Sequence, residues 1–128
     1  HVLGICYGMQ ILAALRGITV VDRPSGFRSC IIHIEGVSKS HHSKKNNQKK
    51  WVVDPQKSFY AQVSHGNQVD SLPPGFIALA RDKDGVLMAM QLQDTTTQVL
   101  IGLQFHPEAV GSQPYGRIQV ERFFQAIL

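Results

Sequence analysis

Two hydrophobic rhythms run along this chain, and the switch between them marks its elements. Residues 1–5 carry a short apolar run (Val2, Leu3, Ile5) that predicts a buried strand. Behind it Met9, Ile11, Leu12 and Leu15 recur at mixed three- and four-residue spacing, the mark of a helix, with Gly17 where a C-terminal cap would stand. Residues 18–21, rich in β-branched side chains, predict a short strand, and Asp22-Arg23-Pro24-Ser25-Gly26 a turn. Weak alternation over residues 29–35 puts Cys30, Ile32 and Ile34 on one face of a further strand, where Cys30 is simply core. Trp51-Val52-Val53 and residues 59–63 are strand candidates separated by Asp54-Pro55, and Ser64-His65-Gly66-Asn67 is expected to end the second in a polar turn. After Pro73-Pro74-Gly75, residues 76–80, 86–92 and 99–105 predict three strands, the first two joined as a hairpin at Asp82-Lys83-Asp84-Gly85. A last helix over residues 116–128 is expected to bury Val120, Phe123, Phe124 and Ile127.

Composition adds limits to this picture. With 128 residues, 43% of them hydrophobic, the chain is one domain at most and large enough to bury a core. No stretch approaches the ~20 apolar residues of a membrane span. One buried strand cannot make a sheet, so an abrupt start on a strand without an initiator methionine suggests that the numbering begins inside a larger fold. The net charge of +4 invites a nucleic-acid reading, but Lys39, Lys44, Lys45, Lys49 and Lys50 supply five of the 13 basic residues. The other eight face nine acidic residues, so the body is near neutral. Residues 38–50 are therefore expected to be a flexible lysine-rich insertion, and with no aromatic to stack on a base they do not predict a nucleic-acid site. His41 and His42 lack cysteine or acidic neighbours at ligand spacing, so no metal site is predicted.

The chemistry begins at Gly4-Ile5-Cys6-Tyr7-Gly8, a G-x-C-x-G between a strand and a helix. This is the cysteine form of the nucleophile elbow, in which a tight turn lifts the reactive side chain clear of the sheet. Side chains at Gly4 and Gly8 are expected to collide with the neighbouring strand and the helix start, and the helix N-terminus to favour a thiolate. A buried structural cysteine is the plain alternative, but it needs neither flanking glycine. His106-Pro107-Glu108 closes the strand predicted over residues 99–105. A thiol nucleophile needs a base that can also return a proton to the leaving amine, which suits histidine, and Glu108 can fix the tautomer of His106. Two cysteines make no disulfide framework, and a nucleophilic thiol needs a reducing compartment, which points to the cytoplasm.

Gly4-Ile5-Cys6-Tyr7-Gly8-Met9-Gln10, Ser64-His65-Gly66, Leu72-Pro73-Pro74-Gly75-Phe76 and Gln104-Phe105-His106-Pro107-Glu108 follow one another as in class I glutamine amidotransferases. Among these the chain most resembles the glutaminase domains of GMP synthetases. The resemblance implies an α/β fold, a flavodoxin-like open mixed sheet flanked by helices, of which residues 1–128 are the C-terminal two-thirds, with antiparallel strands in the second half. It implies Cys6, His106 and Glu108 as a catalytic triad acting on L-glutamine. It also implies that Tyr7 offers its backbone N–H to the oxyanion, and that Tyr7, Gly8, Gln10, Ser64, His65 and Gly66 bind the substrate. The family's second oxyanion donor sits on an earlier strand that this sequence does not include. The ammonia would pass to an ATP-pyrophosphatase synthetase domain or subunit that aminates xanthosine monophosphate. The chain has no phosphate-cradling glycine loop, so ATP and magnesium are expected in that partner and no cofactor in this chain.

Two other classes stay open at this point. Another cysteine hydrolase on the same scaffold, such as a γ-glutamyl hydrolase, would share the triad, although Gln10 and Ser64-His65-Gly66 argue against it. A non-catalytic docking module would keep the fold and leave Cys6 unreactive.

Overall fold

In a computed structural model, residues 1–35 and 58–128 are described, and they form one mixed sheet with a helix on each face. The elements are β1 (Val2–Ile5), α1 (Tyr7–Ala14), β2 (Val20–Ile34), β3 (Phe59–Val69), β4 (Phe76–Asp82), β5 (Leu87–Leu92), β6 (Leu100–Leu103), a 3₁₀ turn (Val110–Ser112) and α2 (Tyr115–Ile127). The six strands lie in the order β1-β6-β5-β4-β2-β3. Among the described residues only β1 and β6 pair in parallel, with Gly4 opposite Gly102 and Ile5 opposite Leu103. All other pairs are antiparallel. This is the open mixed sheet flanked by helices, with the antiparallel second half, that the sequence led us to expect.

The period-two pattern of the strands sorts the core into two layers. Met9 and Ala13 of α1 pack on Val69, Phe76, Leu87, Met90 and Leu100. Phe123 of α2 packs on the opposite layer with Ile32, Met88, Ile101, Leu103 and Phe105. Even-numbered β6 positions thus face α1 and odd-numbered ones face α2, as alternation along a strand requires. Every residue of β5 and β6 is buried, because both faces of these central strands are covered. Each large apolar side chain removed from water in this way contributes about 1.5–3 kcal/mol.

Several boundaries differ from the sequence expectation. The strands predicted over residues 18–21 and 29–35 are one strand, β2, and the intervening Asp22 to Gly26 is an irregularity within it. Asp22 pairs with Asn67 and Gly26 with His65, so three β2 residues bulge opposite Gly66 alone. Ser64-His65-Gly66-Asn67 is correspondingly no turn; it is the middle of β3. The exposed positions of an edge strand are polar, and polarity there imitates a loop. Cys30 and Ile32 are buried as expected, but Phe124 of α2 is exposed and Gln119 is buried in its place. The candidate strand at Trp51-Val52-Val53 and the lysine-rich residues 38–50 lie outside the described residues.

Candidate active site

The elbow is held open by one glycine, not two. A Cβ at Gly4 would sit 2.7 Å from the carbonyl carbon and oxygen of Gly8 and 2.9 Å from the Met9 nitrogen, all backbone atoms with no room to give. At Gly8, by contrast, nothing lies within 4 Å of a Cβ, so the expected collision there does not occur. Gly4 therefore lets α1 start directly over β1. Between them Cys6 takes φ 51° and ψ −106°, and it is the one non-glycine residue with positive φ among those described. Such backbone strain in a non-glycine residue costs on the order of 1–3 kcal/mol and persists only where the surroundings over-determine it. Here they do. The Cys6 N–H donates to Leu103 O at 2.6 Å, and Met9 and Gln10 donate to Cys6 O at 3.1 and 3.3 Å.

His106 follows Leu103 by three residues, so the parallel β1–β6 pair brings both side chains to the same end of the sheet. Nδ1 of His106 lies 2.7 Å from Oε1 of Glu108, which leaves Nε2 as the nitrogen available for proton exchange. The His106 main chain is clamped from both sides. Its N–H donates to Gln62 O at 2.9 Å, and its carbonyl accepts from Ser112 Oγ at 2.6 Å. Ser112 is fully buried, and its Oγ also accepts the Gln62 N–H at 2.9 Å. The next carbonyl, of Pro107, accepts from Gln113 Nε2 at 2.9 Å and lies so close to Gly116 that any side chain there would overlap it.

Around the sulfur the contacts are polar but the setting is partly dry. Cys6 Sγ lies 3.6 Å from Ser64 O, a contact in which the thiol donates, and Gln104 Nε2 donates to Sγ at 3.7 Å. Burial pushes the Cys6 thiol above its ordinary value and the Glu108 charge adds to this, while the Tyr7 N–H and the Gln104 amide pull the other way. The helix start was expected to favour a thiolate. Here burial outweighs the lowering by the Tyr7 N–H at the helix start.

The expected substrate-binding residues fall into two groups. Tyr7 and Gly8 begin α1, ahead of its first intrahelical donors, and the Tyr7 side chain is exposed. Ser64, His65 and Gly66 run past the sulfur on β3, with open space above Gly66. His65 is half-buried, and desolvation lowers its pKa below the ordinary histidine value. Gln10 is buried, and its Nε2 donates to Asn67 O at 2.8 Å and to Gln104 Oε1 at 3.3 Å. Gln104 and Ser112 carried no role in the sequence reading. Gln104 stood there only as the first residue of the Gln104-Phe105-His106-Pro107-Glu108 stretch at the end of a predicted strand, and Ser112 only as a polar residue beyond it. Among the described residues no cluster of metal-ligating side chains occurs, and no helix is long and apolar enough to cross a membrane.

A family model, glutamine amidotransferase class-I, matches residues 1–126. The chain belongs to the class I glutamine amidotransferase family. It is 32% identical over 123 residues to a glutamine-hydrolysing GMP synthase of Thermobifida fusca, covering 95% of this chain and 20% of that protein. It is 36% identical over 122 residues to that of Thermomicrobium roseum, with 95% and 20% covered. To the GMP synthase of Schizosaccharomyces pombe it is 34% identical over 125 residues, with 95% and 21% covered. The chain thus spans about a fifth of the length of the curated relatives it matches. Among solved structures, a putative GMP synthase subunit of Thermoplasma acidophilum superposes with a TM-score of 0.73 at 24% identity, covering 97% of this chain and 55% of that one. A glutamine amidotransferase of Thermotoga maritima gives 0.60 at 20% identity, with 97% and 45% covered. At such identities these two structures speak to the fold alone.

Proposed function

We propose that this amidotransferase chain is the glutaminase part of a GMP synthetase, residues 1–128 forming the C-terminal two-thirds of its glutaminase domain. In this reading it hydrolyses L-glutamine to glutamate and ammonia in the cytoplasm. The observation that carries the proposal is the strained Cys6 at the β1–α1 elbow, at the same end of the β1–β6 pair as a His106 whose Nδ1 is held by Glu108 at 2.7 Å. Family membership and the GMP synthase relatives supply the choice of substrate and acceptor.

The chemistry follows from the contacts. Burial keeps Cys6 protonated at rest, so its proton must move to His106 Nε2 as sulfur attacks the side-chain amide carbon of glutamine. Glu108 steadies the resulting imidazolium through Nδ1. The backbone N–H of Tyr7 faces the developing oxyanion, and Gly8 lies beside it in the substrate site. The C–N bond then breaks, the His106 proton leaves with ammonia, and a thioester remains on Cys6. Water, activated by the now neutral His106, cleaves the thioester and frees glutamate. Gln10, Ser64, His65 and Gly66 frame the substrate's amino-acid end. The ammonia passes to an ATP-pyrophosphatase synthetase domain or subunit, where ATP and magnesium activate xanthosine monophosphate.

Glutamate release measured on the intact protein tests this, with and without xanthosine monophosphate, ATP and magnesium. Turnover of free glutamine that rises with the nucleotides and vanishes in Cys6→Ala is the expected result. Hydrolysis of γ-glutamyl peptides in preference to glutamine would instead indicate a γ-glutamyl hydrolase. A Cys6 that a glutamine-mimicking electrophile leaves unlabelled would indicate a docking module.

A further inference from the structure

We infer that Gln104 is a further catalytic residue of this site: its side-chain amide N–H steadies the Cys6 thiolate, and Gln10 is a positioning residue that sets which way that amide points. The inference rests on the reading of Cys6 as the nucleophile.

Direction is the core of the argument. A glutamine amide can be turned end for end, so which atom faces a neighbour follows from what that neighbour can accept or donate. A backbone carbonyl can only accept, and Asn67 O lies 2.8 Å from the Gln10 amide, which must therefore present its nitrogen there. The same nitrogen is 3.3 Å from Gln104, so Gln104 must present its oxygen to Gln10. Its nitrogen is then turned toward Cys6, and Nε2 stands 3.7 Å from Sγ. One main-chain acceptor on β3 thus fixes the sense of two side chains in succession and ends on the reacting atom.

Burial makes the arrangement consequential. Gln104 is fully inaccessible to solvent and Gln10 is 5% exposed. An amide in such a place is costly unless it is hydrogen-bonded, and in a medium of low dielectric its dipole acts on a nearby charge more strongly than it would in water. The thiol form of Cys6 donates to Ser64 O, a contact the thiolate cannot make. On deprotonation that bond is lost and the one from Gln104 becomes charge-assisted, so the amide favours the anion over the thiol. This is the ionisation that burial and the Glu108 charge oppose, and beside the Tyr7 N–H a further counterweight comes from a side chain 98 positions away in sequence.

The test is the pH profile of iodoacetamide alkylation in the intact protein, with the rate read at the Cys6-containing peptide by mass spectrometry so that Cys30 does not contribute. Gln104→Met keeps length and burial but loses the donor. It is expected to raise the midpoint of the profile by about one pH unit and to lower the alkylation rate about tenfold at any pH below the midpoint. Gln10→Met, which frees the Gln104 amide to turn, is expected to shift the midpoint the same way by a smaller amount. A profile coinciding with wild type in a folded Gln104→Met protein overturns the inference, including when its melting temperature has dropped, because a purely structural residue moves stability and not the midpoint. Should Gln104→Met not fold, Gln10→Met decides on the same criterion. Iodoacetamide does not require glutamine recognition, so the profile answers for Gln104 even if the glutaminase reading fails on glutamate release.

Discussion

Replacing Gly4 by alanine is the sharpest probe of how the elbow is built. The added Cβ would lie 2.7 Å from Gly8 C and O, whereas an ordinary van der Waals contact needs at least 3.4 Å. Subtracting gives 3.4 − 2.7 = 0.7 Å, the least by which β1 and α1 must separate. Neither element can yield cheaply: β1 is bonded in register to β6, and Met9 at the first turn of α1 is fully buried. Overpacking of this kind costs roughly 1–3 kcal/mol. For a domain of this size that corresponds to a fall in melting temperature of about 4–15 °C. Activity should suffer more than stability, because a shift approaching 1 Å at a reacting atom can cost on the order of a hundredfold in rate. Gly8→Ala is the matched control, since the new methyl meets nothing within 4 Å and replaces glycine inside a helix. It is expected to gain up to about 1 kcal/mol. Thermal melts and glutamine turnover of the two variants side by side check the argument. A Gly4→Ala protein with wild-type melting and wild-type turnover would refute it.

Other consequences can be measured with the same assays. Ser112→Ala leaves the Gln62 N–H and the His106 carbonyl without their side-chain partner, and we expect a loss of about 1–3 kcal/mol and a fall in kcat larger than any change in KM. Ser112→Thr, which keeps the hydroxyl, should recover much of the loss in kcat. Gly116→Ala would drive a methyl into the Pro107 carbonyl, so it should displace the His106-bearing segment and lower both melting temperature and turnover. Burial holds the His65 pKa below its unfolded value, so this residue contributes stability above the ordinary histidine range that is lost as pH falls through the folded value. Melts on either side of pH 6.5 should show that decline, and His65→Gln should flatten it. Cys30, whose thiol burial pushes up, should resist alkylation in the native protein and become reactive only on unfolding.

What was legible in the sequence was what local chemistry determines. The elbow could be read because strand, glycine, cysteine and helix start are contiguous, and the three late strands because their apolar runs are bounded by glycine and proline. The β2 bulge was not, since Asp22-Arg23-Pro24-Ser25-Gly26 has the composition of a turn. At those positions β2 pairs with β3 on one side, while its pairing with β4 is confined to Ile32, His33 and Ile34, and an irregular stretch is tolerated there. The second glycine of the elbow was over-interpreted, because spacing alone cannot say which Cβ has a neighbour. Gln104 and Ser112 were invisible for a different reason. Gln104 acts on a sulfur 98 positions away, and Ser112 ties the His106 carbonyl to a Gln62 N–H 50 positions away; nothing in the chain near either residue announces those distant partners.

The strand order gives chain synthesis a bearing on chemistry. β6 is inserted between β1 and β5, so the residue that closes the pair with Cys6 arrives on almost the last piece of sheet to be made. A polypeptide emerging from its N-terminus exposes the sulfur early, and the proposed Cys6–His106 pair could form only after a loop of about a hundred residues has closed. On the proposed reading a half-finished molecule would carry an idle thiol, and competence would double as a signal that the first and last strands of the chain have paired.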